Sequence, residues 1–126
     1  MTTIRNQMGA GTSANAAAAT QGILANNLTA TGNSQATALP LPSDFNIFTT
    51  VAASTGTIMP TLNAGFPAPT DYYTVVNHGA NTLLVYPAVG GKIANAAANA
   101  GFSVPAGKTA DFICLDGLNW AASVSA

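Results

Sequence analysis

From residue 33 onward, apolar and polar residues alternate in short segments separated by turn-forming residues. The clearest segment is Tyr72 to Asn77, which is rich in aromatic and β-branched residues. Similar segments are Phe45 to Val51, Thr82 to Tyr86, Thr109 to Leu115 and Asn119 to Val124. About seven or eight short strands, spaced roughly ten residues apart, are typical of an all-β domain. We therefore predict an antiparallel β-sandwich or a jelly-roll-like barrel.

The connections between these segments predict which strands are neighbours. The loop 78–81 is short and contains glycine, so the strands 72–77 and 82–86 are expected to form a hairpin. Pro40 and Pro42 lack the N–H group that a β-ladder needs, which places the strand containing them at a sheet edge. No helix long enough for a βαβ unit is predicted between the strands, and this argues against parallel sheets.

Residues 1–32 have a different composition, rich in Ala, Asn, Thr and Gly and poor in large apolar side chains. Ser13 is a suitable N-cap and the alanines after it favour a short helix from Ser13 to Asn27. Such a short helix is marginally stable alone in water. We predict an N-terminal arm, residues 1–32, that becomes ordered on neighbouring subunits, and a β domain, residues 33–126.

Charge is the unusual feature of the composition. The chain has 126 residues, which favours one domain, and only 6% of them are charged, against about 25% in an average domain. The centres of protein interfaces are depleted of charge in the same way. We infer that other subunits cover much of the surface. The alternative is a secreted protein with an uncharged polar surface of Asn and Thr.

The sequence argues against two classes of partner, nucleic acids and membranes. The cations Arg5, Lys92 and Lys108 are far apart in sequence, whereas binding a phosphate backbone takes clustered Lys and Arg, so no nucleic-acid partner is expected. No apolar run reaches the roughly 18 residues of a membrane span, and we expect no membrane partner. The N-terminus lacks the apolar block of a signal peptide, so we expect synthesis in a cytoplasm without processing.

The residues that carry chemistry are too few to predict an enzyme. One histidine, His78, is expected in a loop, and one cysteine, Cys114, in a buried strand, so neither is placed beside a partner for nucleophilic catalysis. Asp44 and Asp116 are expected to form turns. The sequence contains no group of zinc ligands, calcium loop or phosphate-binding loop. We predict no enzymatic activity, no cofactor and no metal site.

The aromatic residues have two interpretations, packing or sugar binding. Tyr72 and Tyr73 point to opposite faces of one strand, so at least one is expected in the core. Tyr72, Tyr73, Tyr86 and Trp120 are candidates for stacking on a sugar, although a tryptophan is more often a core or interface anchor. The residues predicted to supply most of the core and the contacts between protomers are Ile47, Phe48, Val75, Leu83, Val85, Phe112, Ile113 and Trp120.

The order of several short motifs resembles a known group of proteins. Residues 74–87, Thr-Val-Val-Asn-His-Gly-Ala-Asn-Thr-Leu-Leu-Val-Tyr-Pro, are similar to a motif common in small tailed-phage virion proteins. The same pattern includes Ser34 to Leu41 before it, and Gly90 to Asn95, Val104 to Lys108, Phe112 and Asn119-Trp120 after it. Over residues 33–121 the chain therefore resembles small capsid-associated proteins of tailed phages, the decoration, cement or head-stabilising proteins.

The resemblance implies a structural role. Such proteins are usually β-rich homotrimers that bind the outside of the head and bridge major capsid proteins. The implied partners are copies of this chain and the phage major capsid protein. The implied location is the capsid surface of the virion, after synthesis in the host bacterial cytoplasm. Similar β domains also occur in phage fibres and tails, so an adhesion module that binds host-surface carbohydrate is the alternative.

Overall fold

The computed structural model describes residues 24–63 and 65–126. Within these residues about 46% of the chain is strand and there is no helix, so the predicted all-β class is confirmed. Most of the predicted N-terminal arm, residues 1–23, lies outside the described residues. The strands are β1 (Leu24–Thr29), β2 (Leu39–Pro40), β3 (Phe45–Thr50), β4 (Gly56–Ile58), β5 (Tyr72–Asn77), β6 (Leu83–Tyr86), β7 (Lys92–Ile93), β8 (Phe102–Val104), β9 (Thr109–Cys114) and β10 (Asn119–Val124).

The strands form two sheets. The six-stranded sheet has the order β1-β3-β5-β9-β10-β7, and the four-stranded sheet has the order β2-β4-β6-β8. Five of the strand pairs are parallel and three are antiparallel. The prediction of antiparallel sheets is therefore wrong, because both sheets are mixed.

Four of the five parallel pairs arise because the chain alternates between the sheets from β1 to β6; the fifth joins β7 and β10. β1, β3 and β5 are successive neighbours in one sheet, and β2, β4 and β6 in the other. A chain that leaves a sheet, adds a strand to the opposite sheet and returns enters the first sheet in the same direction. In a βαβ unit a helix connects two neighbouring parallel strands. Here a strand of the opposite sheet makes that connection. From β8 onward the pairing is antiparallel: β8 pairs with β6, β9 with β5, and β10 with β9.

The loop 78–81 does not close the predicted hairpin. β5 pairs with β3 and β9, whereas β6 pairs with β4 and β8. The side-chain amide of Asn77 donates hydrogen bonds to the carbonyls of Asn81 (2.8 Å) and Val104 (2.9 Å), the last residue of β8. The backbone N–H of His78 donates to the carbonyl of Phe48 (2.8 Å). These bonds direct the chain out of the six-stranded sheet and toward the other.

The strand β1 corrects the predicted boundary at residue 32. It pairs in parallel with β3, with Leu24 opposite Phe45, and Ala30 just after it is buried in the core. Residues 24–27 are therefore strand, and not the end of the predicted helix from Ser13 to Asn27. The reason is tertiary: Leu28 packs against the core, which a free arm would not do.

Side chains from both sheets form one hydrophobic cluster. Trp120 of β10 meets Tyr73 of β5 edge-on, with ring centroids 5.5 Å apart. Thr57 of β4 is also buried, and its hydroxyl donates to the carbonyl of Leu39 (2.6 Å). The buried members of the cluster are Ala30, Leu41, Phe48, Val51, Met59, Val75, Leu83, Val85, Ile93, Val104, Ala110, Phe112, Cys114 and Trp120.

Replacement of Gly79 by alanine should destabilise the fold by about 1–3 kcal/mol. Gly79 lies in the crossing loop, and a Cβ there would stand 2.6 Å from the Cβ of Val51 and 2.8 Å from its backbone nitrogen. The comparison variant is Gly107→Ala, since a Cβ on Gly107 meets nothing within 4 Å and the cost there is the backbone strain of a φ of +80°. Urea unfolding of both variants checks the prediction, and a smaller loss for Gly79→Ala would contradict it.

Candidate interaction surface

One face of the six-stranded sheet points away from the core. Phe45, Thr74 and Asp111 are aligned across β3, β5 and β9, and the Thr74 hydroxyl donates to Asp111 Oδ1 at 2.8 Å. Val75 and Phe112, the next residues along two of these strands, are fully buried. Since successive side chains of a strand point to opposite faces, Phe45, Thr74 and Asp111 lie on the outer face of the sheet.

Large apolar side chains gather at one end of this outer face. Leu24 is paired with Phe45 across β1 and β3, and Tyr72 is paired with Ile113 across β5 and β9. Leu115 follows Ile113 by two residues and is more than half exposed. These five side chains, which we call the apolar patch, expose between 37% and 58% of their surface. Contiguous exposed apolar side chains of this kind mark sites of protein association.

Three aspartates lie next in sequence to residues of the apolar patch. Asp44 precedes Phe45, Asp71 precedes Tyr72, and Asp116 follows Leu115. Asp71 accepts from the backbone N–H of Ala68 (2.8 Å), and Asp116 accepts from those of Leu118 and Asn119 (3.0 and 2.9 Å). The backbone of Asp71 pairs with that of the buried Cys114, so the Asp71 side chain lies on the core side of the sheet and not on the face of the patch.

The pKa shifts of Asp44 and Tyr73 indicate that Asp44 and Asp71 lie near Tyr73, which faces the core side of β5. Burial raises the pKa of Asp44, and the charge of Asp71 raises it further. Burial, followed by the charges of Asp44 and Asp71, raises the pKa of Tyr73 to about 12. Hydrogen bonds from the Asn119 side chain and from nearby backbone N–H groups lower the pKa of Asp116. Tyr73 therefore stays protonated at neutral pH and supplies no base there.

The eight residues predicted from sequence for the core and protomer contacts divide into three groups. Phe48, Val75, Leu83, Val85, Phe112 and Trp120 are buried in the core. Ile47 is half-buried on the outer face, so it is not a core residue. Ile113 is 37% exposed and belongs to the apolar patch. Phe45, Leu24 and Leu115 were not predicted, although Phe45 lies two residues before Ile47 and so shares its face.

Cys114 and His78, a possible nucleophile and a possible general base, lie at opposite ends of the sheet. The backbone N–H of Cys114 donates to the carbonyl of Asp71, just before β5, whereas His78 follows β5. Seven residues of extended chain separate positions 71 and 78, a distance of roughly 23 Å. Burial, partly offset by hydrogen bonds from Gly117 and Asp116, raises the pKa of the Cys114 thiol, which disfavours its nucleophilic form. These two residues do not form a catalytic pair.

Three of the four aromatic side chains considered for sugar stacking are inside the protein. Trp120 and Tyr86 are buried, and Tyr73 packs against Trp120. The indole N–H of Trp120 is buried and has no hydrogen-bond partner among the residues that the structure describes. Tyr72 alone of the four has an exposed ring, and it lies in the apolar patch. A sugar site built on Trp120 is therefore incompatible with this fold.

Within residues 24–63 and 65–126, no three His, Cys, Asp or Glu side chains are grouped in a way that would hold a metal ion. The same part of the chain contains no helix long and apolar enough to cross a membrane. No protein-family model, curated protein sequence or solved structure matches this chain. The geometry of the outer face is thus the main structural information about function.

Proposed function

We propose that this protein is a structural virion subunit that binds the outside of a phage capsid and stabilises it by bridging major capsid proteins. The observation that carries the proposal is the apolar patch, which leaves two aromatic and three aliphatic side chains exposed at one end of the six-stranded sheet. Burying apolar surface contributes about 25 cal/mol per Å² before association costs. The resemblance of several motifs to those of small tailed-phage virion proteins is the reason for proposing the major capsid protein as the partner.

Assembly with copies of itself, as a homotrimer, is part of this proposal. β1 ends the six-stranded sheet with six residues that include no lysine or proline. Exposed edges are usually shortened or blocked by such residues, as at β2, which has two residues and contains Pro40, and at β7, which has two residues and contains Lys92. Within residues 24–63 and 65–126 no strand pairs with the outer edge of β1, and this supports pairing with a strand of another subunit through main-chain hydrogen bonds.

The test is binding to capsids that lack the protein. Wild-type protein should bind saturably, at a fixed number of copies per capsid, and raise the melting temperature of the capsid. Phe45→Ser and Tyr72→Ser should each weaken this binding about tenfold or more, because exposed aromatic anchors carry much of the energy of an interface. Fluorescence titration measures the affinity, and mass measurement in solution gives the number of chains in the free protein.

Val89→Ser is the control. Val89 is 73% exposed and lies outside the apolar patch, so the substitution removes an exposed apolar side chain, smaller than those of Phe45 and Tyr72, from another surface. Its binding should equal that of the wild type. Absence of saturable capsid binding, or a monomeric protein that hydrolyses or transfers a small substrate, would refute the proposal.

A further inference from the structure

We propose that in the free protein the apolar patch is buried against the same patch of a second copy of this chain, and that a twofold axis relates the two copies. This inference rests on the proposed function, because it names what covers the capsid-binding surface before a capsid is met. Contiguous apolar side chains in contact with water favour association. A chain in which only 6% of the residues are charged also has little electrostatic repulsion to keep its copies apart.

The size of the apolar patch matches the contact that a homodimer needs. Its five side chains expose between 37% and 58% of their surface. At roughly 200 Å² for a fully exposed large side chain, the patch offers roughly 450–500 Å² of apolar surface. A standard interface buries about 800 Å² on each partner, and about 65% of a homodimer interface is apolar, which is roughly 520 Å². One patch on each copy therefore supplies nearly the whole apolar part of such a contact.

The charges on the outer face are compatible with a twofold contact. The strands of the six-stranded sheet contain two charged residues, Asp111 in β9 and Lys92 in the edge strand β7. Asp111 accepts from the Thr74 hydroxyl and lies two residues, or about 7 Å, from Ile113. A twofold axis near Tyr72 and Ile113 places the two Asp111 carboxylates on opposite sides, roughly 14 Å apart. That separation exceeds the Debye length of about 8 Å at physiological salt, so their repulsion is largely screened.

Large and small side chains alternate on the outer face in a way that suits face-to-face packing. Phe45 is paired with Thr74 across β3 and β5, and Ile113 is paired with the exposed Ala121 across β9 and β10. Two sheets that pack face to face lie about 10 Å apart, and their side chains interdigitate. The large side chains of one copy therefore fill the space above the small side chains of the other.

A head-to-tail contact would need a second apolar surface on the same copy. The other large apolar side chains exposed among the described residues are Leu62, Phe66 and Val89, and all three lie between strands and not on a sheet face. A head-to-tail contact would also leave one patch uncovered at the end of each chain of copies. A twofold contact covers both patches at once and closes the assembly at two units.

Mass measurement in solution tests the pairing. The mass of the free wild type should double as concentration rises through the dissociation constant of the pair. Phe45→Ser and Tyr72→Ser should each raise that dissociation constant at least about tenfold, because aromatic anchors carry much of the energy of an interface. The control Val89→Ser should leave it unchanged. The doubling is expected whatever the number of chains in the unpaired unit, since the main-chain edge of β1 is a different surface from the patch.

NMR spectra show which surface is in contact. Between dilute and concentrated wild type, one contiguous group of signals should shift, including those of Phe45, Tyr72 and Ile113. A second group of shifted signals, such as those of Leu62 and Phe66, would demonstrate a head-to-tail contact and overturn the inference. A wild type that pairs no more tightly than both patch variants would overturn it as well.

Binding to capsids separates this inference from the proposed function. If the wild type pairs through the patch but binds no capsid, the inference stands and the capsid role fails. If capsids bind the wild type, and Phe45→Ser weakens that binding while the free wild type pairs no more tightly than the variant, the capsid role stands and the inference fails.

Discussion

Phe112→Ala should lower the free energy of unfolding by about 3–5 kcal/mol. Phe112 is fully buried in β9, and its ring meets the ring of Phe102 in β8 edge-on, with centroids 5.7 Å apart. Because β9 and β8 belong to different sheets, the pair joins the two sheets across the core. Truncation to alanine removes that contact and leaves a cavity. Urea unfolding followed by tryptophan fluorescence measures the loss, since Trp120 is buried in the same core.

The control is Ile113→Ala, one residue farther along β9. Ile113 points to the outer face and is 37% exposed, so its truncation should cost about 1 kcal/mol or less. The difference between the losses of Phe112→Ala and Ile113→Ala tests whether neighbouring side chains of β9 point to opposite faces. Equal losses for the two variants would mean that β9 does not present these side chains to opposite faces.

The positions of most strands were predictable because they depend on local pattern. The predicted segments 72–77 and 119–124 coincide with β5 and β10, and the predicted segment 109–115 contains β9, Thr109–Cys114. Alternation also predicted that Tyr72 and Tyr73 lie on opposite faces, as they do.

The pairing of the strands was not predictable because it depends on contacts between distant residues. A short loop with glycine between two strands usually closes a hairpin. Here Asn77 bonds to Val104, 27 positions away, and Asn81 donates to the carbonyl of Val51 (2.9 Å). No local pattern reports these bonds, and they decide which sheet receives β6.

The apolar patch was only partly predictable for a related reason. Ile113 was expected to be a core or contact residue, because a continuous run of apolar residues in a strand suggests that both faces of the strand are buried. The four-stranded sheet covers only one face of the six-stranded sheet, which leaves Ile113 on the other face. Phe45 and Tyr72 become neighbours on the uncovered face only through the register of β3 and β5, which the sequence does not specify.

Asn77→Ala should destabilise the protein by about 3 kcal/mol or more. Asn77 is fully buried, and its side chain donates to the carbonyls of Asn81 and Val104 and accepts from the backbone N–H of Gly79 at 2.9 Å. Alanine would leave these backbone groups without their partner in a place that water reaches poorly. Thermal and urea unfolding measure the loss, with Asn95→Ala on an exposed turn as a control that should change stability by less than about 0.5 kcal/mol.

Asn77→Asp tests the same bonds through pH. Aspartate has nearly the same shape, but its carboxylate would face two carbonyl oxygens in the buried site, and both burial and these dipoles raise its pKa in the folded state. The variant should therefore be most stable below the pKa of the unfolded chain, about 3.9, and lose stability relative to the wild type as pH rises through the folded pKa. Unfolding curves across this range measure the difference. A difference that does not change with pH would show that Asn77 is not the buried donor that carries the chain from one sheet to the other.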